Sequence, residues 1–136
     1  MALSRRSFLS RTGVHASALL SGLSLNIPGL RAAGKKYSGC ILGRTGAGDY
    51  GHGLDIIFNG MDNVAVNAVA DENAAGRKQA AERSGAVRQY ADYREMLEKE
   101  NPDIVSIGPR QPDCHREMCL ACIEAGAHIY MEKPIT

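Results

Sequence analysis

The stretch GRTGAGDYGHG, Gly43 to Gly53, holds five glycines in eleven residues. Within it, Gly46-Ala47-Gly48-Asp49-Tyr50-Gly51 has the spacing G-x-G-x-x-G. Glycines so placed allow a tight turn and let backbone N–H groups come close to a pyrophosphate. A helix opening behind them adds unpaired N–H donors and a partial positive charge. A flexible surface loop is the other use for so much glycine, and the flanks decide between the two. A short apolar run, CIL, precedes the glycines, and Asp71 stands twenty residues beyond Gly51, at the end of VAVNAVAD. A carboxylate there accepts hydrogen bonds from the adenosine ribose hydroxyls; aspartate is also a good helix cap. The usual fingerprint starts directly after its strand, whereas Gly43-Arg44-Thr45 intervenes here. Gly43, Gly46, Gly48 and Gly51 are therefore all candidates for cofactor contact, together with Asp71.

Chemistry of this kind needs strands and helices in strict alternation, and the chain supplies them. GCIL predicts a first strand. Leu54, Ile57 and Phe58 follow at helical spacing, and Asn59-Gly60 stops that helix. VAVNAVAD is apolar almost throughout, as a parallel strand buried on both faces should be. An alanine-rich helix runs from about Asn73 to Gly85, which suits the left-handed position after a helix. VRQY predicts a third strand, and DYREMLEKE a helix with Tyr93, Met96 and Leu97 on one side, closed by Asn101-Pro102. DIVSIG is a fourth strand, DCHREMCLACIEAG a helix ended by Gly126, and AHIYMEKP opens as a fifth strand. Parallel strands joined by right-handed crossovers follow from this order. The expected fold is α/β, a doubly wound parallel sheet of the Rossmann type in the order 3-2-1-4-5.

The 136 residues fit one such domain. Residues 1–36 carry six basic side chains and no acid; from Tyr37 onward ten basic residues face fifteen acidic ones. A folded part of net charge −5 argues against a nucleic-acid partner, which would need a basic face. The opening, with SRRSFL at Ser4–Leu9 and a weakly apolar stretch from Val14 to Leu30, reads as an export leader and not as a membrane span. SRRSFL resembles the twin-arginine signal. The expected organisation is a leader over 1–36 and a dinucleotide-binding domain over 37–136. The expected partner is the twin-arginine export machinery, and the expected location is periplasmic or otherwise exported. A disordered basic arm is the plainer alternative.

Four cysteines need their own reading. His115, Cys119 and Cys122 share a helical face by spacing. A tetrahedral metal site usually draws ligand pairs from two separate segments, however. Thiols buried against the sheet, with Cys40 inside the first strand, are the nearer reading; no metal is expected. In an exported protein, Cys119 and Cys122 could also form a disulfide.

The remaining motifs resemble a known family. GAHIYMEKP is similar to the strand-plus-EKP signature of the Gfo/Idh/MocA oxidoreductases. PDIVSIGP followed by HREM resembles that family's fourth strand, proline turn and histidine-headed helix, and YADYREML its third strand and next helix. The likeness runs from Ser38 to Thr136, although RQPDC, Arg110 to Cys114, fills a space that is generally shorter and usually begins with asparagine. The resemblance implies that Lys133 contacts the substrate hydroxyl beside the nicotinamide, with Glu132 and Pro134 fixing its direction. It implies that His115 stands near the reactive end and Pro109 lines the cofactor. It further implies NAD in preference to NADP, given Asp71, and a sugar-like or polyol alcohol as substrate. The chain ends three residues after Lys133, where the resemblance implies a second α/β domain carrying most of the substrate pocket and usually the interface of a homo-oligomer. As given, the chain is expected to bind dinucleotide without turnover. Two other classes remain open: a stand-alone NAD-binding sensor or regulatory module, and a flavodoxin-like domain holding a different nucleotide.

Overall fold

The computed structural model describes residues 34–135. Most of the proposed leader, residues 1–33, lies outside the described residues. The strands are β1 (Tyr37–Leu42), β2 (Val64–Ala70), β3 (Arg88–Tyr90), β4 (Ile104–Ile107) and β5 (His128–Met131). The helices are α1 (Ala74–Ser84), α2 (Tyr93–Glu100) and α3 (His115–Glu124), the last preceded by a 3₁₀ turn at Pro112–Cys114. All five strands are parallel in the order β3-β2-β1-β4-β5, as the alternation predicts.

Each face of the sheet has its own core because side chains alternate along a strand. Cys40, Leu42, Ala68 and Ala70 point to one face and pack with Met96 and Leu97 of α2 and Met118 and Cys122 of α3. Ile41 and Val69 point to the other, with Tyr50, Phe58 and Ala80 and Ala81 of α1. On this second face the small side chains of Ala80 and Ala81 let α1 lie close to Ile41 and Val69. The helix ends are set locally. The Asn73 side chain accepts from the N–H groups of Ala75 and Gly76, and Gly85 closes α1 in the left-handed region (φ 72°). Asp92 caps α2, and Asn101 ends it at φ 44°.

Two expectations fail in detail. β2 is buried only over Ala68–Ala70; Val64 to Asn67 are partly or fully exposed. The reason is its neighbour: β3 has three residues and pairs only with Ala68–Ala70. The helix expected after the glycines is also missing as a regular element. Residues 51–60 form consecutive turns, with Ile56 N–H donating to Gly53 O, Asn59 N–H to Ile56 O and Met61 N–H to Phe58 O. Gly51 (φ 58°) and Gly53 (φ 81°) take backbone angles that an α-helix cannot contain. The apolar spacing still reports burial, since Leu54 and Phe58 are in the core. It does not report helical backbone.

Substitution of Gly53 separates the two conformations. A Cβ at Gly53 would meet only ordinary contacts with Ile56, so the cost is that of left-handed backbone, about 1–2 kcal/mol. Gly53→Ala is expected to lower stability by that amount in urea unfolding. In a helix the same change would raise stability by about 1 kcal/mol.

Candidate nucleotide-binding site

The glycine stretch leaves the C-terminal end of β1, where Gly43 N–H still donates to Ala70 O (2.9 Å). Arg44 and Asp49 then pair antiparallel, through Arg44 N–H to Asp49 O (3.1 Å) and Asp49 N–H to Arg44 O (2.9 Å). Thr45 to Gly48 form the crest of this small hairpin. Gly46 N–H is held by the Asp49 carboxylate (2.8 Å), and the space where its Cβ would project is open.

The other glycines are demanded by close approach. A Cβ on Gly48 would lie 2.3 Å from Arg110 N, in the turn after β4. A Cβ on Gly51 would lie 2.4 Å from Glu132 Oε2 and 2.6 Å from Gly108 O. Gly43 leaves room for the Tyr50 ring, 2.1 Å from where its Cβ would stand. Three of the four candidate glycines thus fit protein against protein, and Gly46 alone opens outward.

Asp71 follows β2 as expected and is 3% exposed. Its carboxylate accepts from Thr45 N–H (3.0 Å), the Thr45 hydroxyl (2.7 Å) and Asn73 N–H (2.9 Å). It therefore ties the glycine hairpin to the start of α1. Asn73, not Asp71, caps that helix. Arg77 reaches back to the Asp71 carbonyl oxygen (2.5 Å). Tyr50 lies in the same corner. Burial first, and then the Asp71 carboxylate, push its phenol well above the usual range. Its buried hydroxyl has no hydrogen-bond partner among the described residues.

The second tie is at β5. Glu132 is 4% exposed. Its Oε2 accepts from His52 N–H (3.0 Å) and lies 2.7 Å from His52 Nδ1, while Oε1 accepts from Lys133 N–H (3.1 Å). Burial pushes the carboxyl up, but these hydrogen bonds outweigh it and hold Glu132 below its ordinary value. Lys133 is exposed. His115, at the head of α3, is 1% exposed. Its Nδ1 lies 2.8 Å from Pro134 O and its Nε2 2.7 Å from Pro109 O. The ring thus stands between two carbonyl oxygens, to one of which a neutral imidazole donates, and it bridges the turn after β4 and the turn after β5. Pro109 is fully buried.

A cleft opens at the C-terminal ends of β1 and β2, lined by Gly43, Asp71, Glu72, Cys114 and Met118 among others. Strand order reverses between β1 and β4, so the cleft lies beside the switch point at which open α/β sheets offer a ligand a place. Arg44 and Arg94 also line it, each paired with a carboxylate: Arg44 with Asp113 (2.8 Å), Arg94 with Glu117 (3.6 Å). The residues fit the adenosine half of a dinucleotide. Met118 and Cys114 offer apolar contact, and Asp71 and Glu72 offer acceptors. At the hairpin, several N–H groups already have internal partners, so a phosphate there must trade for them.

The sequence alone did not point to His52 or Thr45 as site residues. Thr45 carries no signal, because its partner lies in another element. His52 directly follows the last fingerprint glycine, which is the one hint available. The thiols form no metal cluster among the described residues. Cys40 and Cys122 are buried, with thiols pushed up to about 12 chiefly by burial. Cys119 lies 3.4 Å from Met131 Sδ, and all four cysteines are free.

The architecture and cleft define a nucleotide-binding domain of the doubly wound class. A family model described as oxidoreductase family, NAD-binding Rossmann fold, matches residues 42–136, and the chain belongs to that Gfo/Idh/MocA family. A myo-inositol 2-dehydrogenase of Thermotoga maritima is 28% identical over 76 residues, covering 56% of this chain and 22% of that protein. The crystal structure of myo-inositol 2-dehydrogenase from Lactobacillus plantarum matches with TM-score 0.62 at 25% identity, over 74% of this chain and 29% of that one. Scyllo-inositol dehydrogenase from Lactobacillus casei, solved with NAD(H) and scyllo-inositol, shares the fold at TM-score 0.60 and 21% identity, over 74% of this chain and 29% of that one. The chain spans between a fifth and a third of the length of these relatives.

Glu132 gives the site an acid limit. A carboxyl with a depressed pKa stabilises the fold above its unfolded value and loses that contribution as pH falls through the folded value. Wild type is expected to lose stability below about pH 4 more steeply than Glu132→Gln, which lacks the titrating group. Urea midpoints of both chains between pH 3 and 7 measure the difference; parallel curves would contradict it.

Proposed function

We propose that this chain is the nucleotide-binding half of an exported NAD-dependent oxidoreductase that acts on a sugar-like or polyol alcohol. The observation that carries the reading is the carboxylate-lined cleft beside the glycine hairpin, in a chain whose family is the NAD-binding oxidoreductases. Relatives named as inositol dehydrogenases support a polyol substrate. In this reading Gly43, Gly46, Gly48 and Gly51 shape the phosphate end. Asp71 and Glu72 face the adenosine ribose, and Pro109 and Glu132 flank the nicotinamide end. NAD, when bound, supplies the acceptor for a hydride from the carbon bearing the substrate hydroxyl. Lys133, exposed on the turn after β5, assists movement of the hydroxyl proton. His115 holds that turn at the distance the reaction needs. The rest of the substrate pocket and the contacts of a homo-oligomer belong, in this reading, to a second domain.

NAD is preferred to NADP because Asp71 and Glu72 would repel a 2′-phosphate, and because Arg44 and Arg94, the arginines lining the cleft, are already paired with acids. Fluorescence titration of the full chain should give NADH affinity at least about tenfold above NADPH, a difference of ~1.4 kcal/mol. Asp71→Ser should narrow the gap. Tighter NADPH binding by wild type would refute the assignment.

Export rests on SRRSFL and the weakly apolar stretch behind it. A route that carries folded proteins suits an enzyme loaded with cofactor before export. Lysine at both Arg5 and Arg6 should hold a reporter fusion in the cytoplasm; unchanged export would remove this part of the proposal.

A further inference from the structure

Two backbone N–H groups and one histidine ring meet at one carboxylate, and the residue that bears it is tied to a further strand. Glu132 lies at the end of β5. Its Oε2 takes the His52 N–H and faces His52 Nδ1, and its Oε1 takes the Lys133 N–H. Its own N–H donates to Ile107 O at the end of β4 (2.9 Å). Gly51 must lack a side chain because Glu132 Oε2 and Gly108 O fill that space. The carboxylate is buried while the His52 side chain is 62% exposed. The histidine is therefore not a core residue held by packing. The contacts found for it are those to Glu132.

We infer that His52 is a positioning residue, which through Glu132 locks the turn bearing Lys133 to the glycine hairpin, so that cofactor site and lysine move as one unit. The inference rests on the reading of Lys133 and the glycine hairpin as parts of one oxidoreductase site. Its structural core, the coupling of His52 to the Lys133 backbone, can be tested apart from that reading. The alternative anchor for the turn is His115, which grips Pro134 O from the opposite side. The two histidines hold different atoms. His115 meets the chain after Lys133, whereas His52 holds the carboxylate that accepts from the N–H of Lys133. Without the His52 ring, the Glu132 carboxylate keeps the backbone N–H groups of residue 52 and Lys133 but loses the ring nitrogen on Oε2. Its Oε2 is then held by a single N–H, and the carboxylate that accepts from Lys133 is less firmly fixed.

A hydrogen bond to a charged group shifts an equilibrium by roughly tenfold or more. The first experiment is amide hydrogen exchange on the full chain without cofactor. His52→Leu should speed exchange at the Lys133 N–H by about tenfold, though the partner residue Glu132 lies eighty residues from His52 in sequence. His52→Asn, whose side-chain N–H can stand where Nδ1 does, should restore most of the protection. NADH titration of the same variants should follow the same order. Unchanged Lys133 protection in a folded His52→Leu chain would overturn the inference, as would an Asn variant no better than the Leu variant. Wild type supplies a measurement that needs no variant: nitrogen-15 NMR should show the His52 ring protonated at Nδ1. A ring bare at Nδ1 would overturn the inference equally. If wild type binds no NADH, the proposed function fails while the exchange comparison still decides the coupling.

Discussion

A buried carboxylate has to be hydrogen-bonded to remain charged, and in this domain two such groups bind the glycine hairpin from opposite sides. Asp71 takes the hairpin's near end through the N–H and hydroxyl of Thr45. Glu132 takes its far end through the N–H and ring of His52. Each carboxylate stands just beyond a strand, β2 for Asp71 and β5 for Glu132. The parallel sheet carries both to the same edge, so the hairpin is suspended between strands that are not neighbours. The order β3-β2-β1-β4-β5 sets this span, with β1 delivering the hairpin between the two anchors.

The glycines follow from the same constraint. Gly48 and Gly51 are small because the turn after β4 and the Glu132 carboxylate press against them. Gly43 is small because Tyr50 folds back over it. Gly76, inside α1, has no room for a Cβ because Thr45 Oγ1 would lie 1.8 Å away. The hairpin is thus packed on three sides and open only at its crest, near Gly46. A loop rich in glycine is ordinarily costly to order. Here its internal hydrogen bonds and two carboxylate anchors offset that cost before any ligand arrives.

Much of this was legible in the sequence, and the rest was hidden for definite reasons. The strands announced themselves as apolar runs, and their order followed from alternation with helices. Asn73, Gly85, Asp92 and Asn101 marked helix ends because capping is local chemistry. The segment after the glycines misled: Leu54, Ile57 and Phe58 have helical spacing, but the positive φ of Gly51 and Gly53 is invisible to a hydrophobic pattern. β2 was read as buried throughout because nothing in its own residues reveals how short β3 is. At the site, residue types were legible and partners were not. Asp71 could be placed beside a nucleotide, but its bond to Thr45 spans twenty-six residues. The place of His115 between two carbonyls likewise needs the fold to be known first.

Suspension between anchors has a consequence for how the domain would meet a dinucleotide. The outward-facing crest and the cleft beside Asp71 are contiguous through Gly43 and Arg44. A ligand spanning them touches the hairpin at one end and the β2 carboxylate at the other. The Thr45 hydroxyl already donates to that carboxylate at 2.7 Å, the same chemistry a ribose hydroxyl would offer. Ribose and Thr45 then either share the carboxylate, which has lone pairs enough for both, or compete for it. Sharing leaves the hairpin where it stands, so binding draws on a site already organised. Competition would release the near anchor and leave the hairpin held by Glu132 and by the Arg110 N–H, which donates to Gly48 O (3.2 Å). The small volume around Gly76 favours sharing, since Thr45 sits packed against α1 and has no second place to go without displacing the helix.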